Sequence, residues 1–105
     1  MDERHQDLVE IFRDQSRWRR GKANEYPGDK RKQNLHAAAI FDQLAATAAA
    51  VPDEVLQTFF DLGKDVPDAF LDCERFGEFT REVGFHTDYA TAEEFCRAYI
   101  RDRMG

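Results

Sequence analysis

The stretch Leu35-His36-Ala37-Ala38-Ala39-Ile40-Phe41-Asp42-Gln43-Leu44-Ala45-Ala46-Thr47-Ala48-Ala49-Ala50-Val51 decides the fold. Eight of the fourteen residues from Ala37 to Ala50 are alanine, the best intrinsic helix former. The run ends at Pro52, because the residue before a proline is pushed out of the helical region. Small side chains let neighbouring helices approach closely, and large rings fill the space beside them. Seven of the nine phenylalanines lie between Phe59 and Phe95. These two facts predict an Ala-rich central helix over 35–51 with the phenylalanines of the later segments packed over it.

Working outward, the rest of the chain also reads as helix. Leu8, Ile11, Phe12, Gln15 and Trp18 fall on one face of a helix over 3–20. That spacing places Trp18 at the edge of the core, and Gly21 stops the helix or Lys22 and Ala23 extend it slightly. Tyr26-Pro27-Gly28-Asp29 is turn chemistry: proline sets φ, glycine permits positive φ, and Asp29 is positioned to cap the next helix, 30–50. Asp53 and Glu54 open a third helix, 53–62, at the end where the helix dipole favours negative charge, with Leu62-Gly63 as its stop. Pro67-Asp68 starts a fourth, 68–84, which Gly77 divides or leaves whole. Thr91-Ala92-Glu93-Glu94 is a capping box for the last, 92–103: the Thr91 hydroxyl accepts from the Glu94 amide and the Glu94 carboxylate reaches back to the Thr91 amide. The expected fold is all-α, a compact bundle of about five helices around the Ala-rich one. At 105 residues it is a single domain, 1–105.

No apolar run approaches the ~20 residues that cross a bilayer, so no membrane is expected. The opening Asp2-Glu3-Arg4 is not the basic, then apolar start of a secretory signal, and the expected location is the cytoplasm. Cys73 and Cys96 read as small buried hydrophobes of a reducing compartment, with a disulfide between them as the alternative.

The net charge is −6, unevenly distributed. Arg13 to Lys32 contains eight basic and three acidic residues, whereas Asp53 to Gly105 contains six basic and thirteen acidic. Arg13, Arg17 and Arg20 make one stripe on the first helix. Lys30, Arg31 and Lys32 open the second helix, where the dipole disfavours cations, and such a break with a local rule points to an anion. Together these six are the candidate anion-binding residues. The competing expectation is a solvated face, with Glu10 and Asp14 pairing Arg13 and Arg17, and Glu25 and Asp29 screening the lysines. Trp18 and Tyr26 interleave with the cations as rings do in single-strand binders, although Trp18 is assigned to the core.

No catalytic or metal constellation is nominated. His5, His36 and His86 are scattered, Asp2-x-x-His5 lacks a partner set, and His86-Thr87-Asp88 reads as a turn. The expected function is a small helical interaction module, self-associating or binding another protein, with no cofactor. The alternative is an anion- or nucleic-acid-associated module using the basic patch at 13–32. An enzyme is the less favoured class.

Overall fold

The buried residues of the first helix, α1 (Glu3–Glu25), include His5, Leu8, Phe12, Ser16, Arg19 and Ala23, which is 18 residues in five steps, or 3.6 per step. That is the period of an α-helix, so these six side chains form a straight stripe facing the rest of the molecule. The computed structural model describes residues 3–62, 74–84 and 87–104. Among them α1 is followed by α2 (Asp29–Thr47), a 3-10 turn (Ala48–Ala50), α3 (Asp53–Asp61), α4 (Glu74–Arg81) and α5 (Ala92–Met104). The fold is therefore an all-α bundle; among the described residues the one strand-like feature is an isolated bridge between Val83 and Thr87.

Expected boundaries move at Gly21, at Asp29 and at the end of the Ala-rich helix, which leaves the α-helical course after Thr47 for the 3-10 turn Ala48–Ala50. Gly21 does not end α1, which continues for another turn to Glu25 and buries Ala23. Burying that turn against α2 offsets the ~1 kcal/mol that glycine costs a helix. Asp29 is not a cap but the first helical residue of α2. Gly28, at φ 68°, takes the cap position, and its carbonyl accepts from the Lys32 amide at 3.2 Å. Of the two arrangements left open at Gly77, the described residues take the undivided one, with α4 running through it from Glu74 to Arg81. The expected start of that helix at Pro67-Asp68 lies outside the described residues, as do Gly63 and Cys73.

α1 and α2 form an antiparallel hairpin. Arg19 meets Asn34 near the turn, and the Phe12 and Phe41 rings meet at mid-length. At the far end His5 donates from Nε2 to the Val51 carbonyl at 2.9 Å. Ala37, Ala38 and Ala48 are buried as the small-residue reading requires, while Ala39, Ala46, Ala49 and Ala50 face outward. α5 closes the core by inserting Phe95 between the hairpin and the remaining helices. Its ring lies 5.1 Å from Phe12, 6.5 Å from both Phe41 and Phe59, 6.2 Å from Phe76 and 5.3 Å from Phe79, mostly edge to face. That geometry suits the positive edge and negative face of aromatic rings. Where the chain leaves α4, the backbone at Gly84 rests directly on Ala37 of α2.

The α5 cap is close to the expected box. The Glu94 amide donates to the Thr91 hydroxyl at 3.2 Å, but the Glu94 carboxylate accepts from the Ala90 amide, one residue earlier than expected. The Ala92 amide donates to Thr47 Oγ1 at 2.9 Å, so a side chain of α2 helps to cap α5. Thr91→Ala is expected to cost about 1 kcal/mol, read as a lower denaturation midpoint. An unchanged midpoint would show that Thr47 and Glu94 suffice to hold this end.

Candidate functional site

The six cations read from the sequence separate in the structure. Arg13 pairs with Glu10 at 3.5 Å, and Arg17 pairs with Asp14 and lies 3.9 Å from Glu10. Arg20 reaches across the hairpin to Asp42 at 2.5 Å. That hydrogen bond, with a second from Ser16 at 2.6 Å, holds the Asp42 carboxyl below its usual value. The α1 stripe is thus internally neutralised, two members within α1 and one through α2. Arg31 and Lys32 are exposed at the start of α2. Lys30 lines a groove at the turn of the hairpin, and Arg13 lines a separate recess with Gln6, Val9 and Glu10.

That groove, about 400 Å³, opens where the end of α1, the start of α2 and the end of α4 converge. Trp18, Arg19 and Lys22 come from α1, and Tyr26 from the turn. Lys30, Gln33 and Asn34 come from α2, and Arg81 and Glu82 from α4 and just beyond it. The turn at Pro27-Gly28 brings Lys30 back beside Tyr26, its Nζ 5.1 Å from the centre of the ring. Lys22, one turn after Trp18, puts its Nζ 5.6 Å from the indole and pairs with Glu25 at 3.1 Å.

The placement of Trp18 differs from the sequence reading, and that of Arg19 was not anticipated by it. Trp18 is 48% exposed, not core, and Arg19 beside it is only 4% exposed. At 100° per residue, Arg19 sits roughly 20° around the helix from Leu8 and Trp18 roughly 80° away. The stripe therefore passes through the arginine and turns the indole out to the groove wall. Arg19 is held by a hydrogen bond to Asn34 Oδ1 at 3.3 Å and another to the Thr80 carbonyl at 2.9 Å, tying α1 to both α2 and α4. Burial, and then the like charge of Arg81, lower the proton affinity of the Arg19 guanidinium from the usual arginine value. The signal for Arg19 was the helical period itself; nothing local marked Arg81, which belongs to a different segment.

Cys96 is buried, and burial with the nearby Glu93 carboxylate pushes its thiol up to about 12, far from a thiolate nucleophile. His36 lies on the surface, 3.4 Å from Asp88. His86 and Asp2 lie outside the described residues. Among the described residues no three His, Cys, Asp or Glu side chains gather as metal ligands, and no helix is long and apolar enough to cross a membrane.

No family model, curated protein or solved structure matches the chain. The fold and the groove therefore define its class by themselves: a small all-α bundle with a cationic, aromatic-walled groove at the turn end of a helical hairpin.

Proposed function

We propose that this protein is a binding module rather than an enzyme, and that its groove takes an anionic segment of a partner. The observation that carries this reading is the pair of guanidiniums in one groove, Arg19 buried at its base and Arg81 beside it. Like charges held together in a partly desolvated recess repel, and an anion placed between them turns that repulsion into attraction. Lys22 and Lys30 extend the positive wall. The acidity of the chain as a whole restricts such binding to the groove instead of spreading it over the surface. A reducing cytoplasmic setting, inferred from the sequence, suits such a module.

Trp18 is the only tryptophan of the chain and forms part of the groove, so its fluorescence reports occupancy. Tripolyphosphate is expected to change that fluorescence saturably at about 50 mM salt, with affinity falling about tenfold at about 200 mM. Lys30→Glu combined with Arg81→Glu is expected to abolish the change. Arg13→Glu combined with Arg17→Glu, which alters cations already paired with Glu10 and Asp14, is expected to leave it intact. No saturable change at low salt would refute the proposal.

A further inference from the structure

The groove does not end at Trp18. A second recess of about 360 Å³ lies on the other side of the indole, lined by Asp14 and Gln15 of α1 and by Gly77, Thr80 and Arg81 of α4. Trp18 and Arg81 belong to both recesses. A compact anion fills only one of them. A chain-like ligand that passes over the indole fills both, with Arg81 reachable from either side.

The rings indicate which chain-like ligand. Trp18 and Tyr26 are both substantially exposed, at 48% and 41%. Each has a lysine ammonium over its ring, Lys22 at 5.6 Å and Lys30 at 5.1 Å, and the Arg19 guanidinium also lies over the indole at 5.2 Å. The last two turns of α1 separate the rings, Trp18 lying within the helix and Tyr26 just past its end at Glu25. The wall therefore repeats a unit of aromatic ring and cation, and the exposed remainder of each ring is the surface left for stacking. A nucleotide carries the complementary unit, a flat base and a phosphate, in every residue. An acidic peptide carries the charge without the ring, and a duplex keeps its bases stacked on one another.

We propose that the two recesses form one trough for a single-stranded nucleic acid, with a base stacked on Trp18 and phosphates beside Lys22, Lys30 and Arg81. This rests on the anion-binding reading above and specifies its ligand. Asp14, already paired with Arg17, and Glu82 supply acceptors at the trough edges for exocyclic amino groups of bases.

Labelled strands of about eight nucleotides, within the span that single-strand grooves accommodate, are titrated by anisotropy in about 50 mM salt. The competitors are an abasic strand with the same phosphates, the corresponding duplex and a poly-glutamate of equal charge. The base-bearing strand is expected to bind at least about tenfold more tightly than the abasic one, because stacking adds to charge. Trp18→Ala is expected to erase that margin and Trp18→Phe to keep most of it, both with unchanged helical circular dichroism. Gly77→Gln adds a side chain where a Cβ would meet nothing within 4 Å. It is expected to weaken the strand about tenfold while leaving tripolyphosphate binding alone. Equal affinity for the abasic strand would overturn the nucleic-acid proposal and leave the anion reading standing, as would tighter binding of duplex or poly-glutamate. Unchanged strand affinity in Gly77→Gln would overturn the continuous trough. Failure of every polyanion, tripolyphosphate included, would remove both readings.

Discussion

Phe95→Ala is expected to destabilise the protein by about 4 kcal/mol, the scale of removing a fully buried ring whose cavity cannot collapse. For a domain of this size, that lowers the thermal midpoint by roughly 15–30 °C. The ring is completely buried and touches Phe12 of α1, Phe41 of α2, Phe59 of α3 and Phe76 and Phe79 of α4. Its loss therefore opens a void that borders every other helix, and no single helix can shift to fill it without losing its own contacts. Phe95→Leu keeps most of the volume and is expected to cost less than half as much. Thermal unfolding followed by far-ultraviolet circular dichroism measures both. A midpoint within a few degrees of wild type for Phe95→Ala would show that α5 is dispensable to the core.

Gly84→Ala is expected to cost about 3 kcal/mol from a single added methyl, for two reasons that act together. The residue has φ +85°, a conformation that strains any side chain. Its Cβ would also fall 2.8 Å from the Ala37 Cβ and 2.9 Å from the Ala37 Cα. The second of these is backbone in the middle of α2, so the neighbour cannot swing aside. Gly21→Ala provides the contrast. Gly21 is helical and a Cβ there meets nothing within 4 Å. That substitution is expected to raise stability by about 0.5–1 kcal/mol. Equal midpoints for Gly84→Ala and wild type in urea would mean that the segment after α4 does not rest on α2.

The two Gly84 contributions differ in how far they could be anticipated. A positive φ at a glycine is a local matter, as it is at Gly28, where Pro27-Gly28 announced the turn. The contact with Ala37 joins residues 47 positions apart and depends on how α4 is set against α2. The same division runs through the candidate site. The pairings of Glu10 with Arg13 and of Asp14 with Arg17 were legible, because residues three apart are neighbours on any helix. The capture of Arg20 by Asp42, 22 residues away, was not, and it removes the third cation of the expected stripe.

The sequence by itself determined that this chain is helical and roughly where its helices lie. Alanine content, Pro52, the Pro27-Gly28 turn and Thr91 before Glu94 act through residues within one or two helical turns, and tertiary contacts moved only some of the ends. The 3.6-residue period of α1 is also compatible with Arg19 inside and Trp18 outside, although the same spacing anchored on the apolar residues puts the indole at the edge of the core. Only the tertiary structure decided that the candidate groove forms at this place. Arg19, Lys30 and Arg81 come from three helices, and their charges share one groove because Asn34 and the Thr80 carbonyl hold the buried guanidinium between α1, α2 and α4. A hydrogen bond between distant segments exists only after those helices have packed, so no local pattern of residues encodes it.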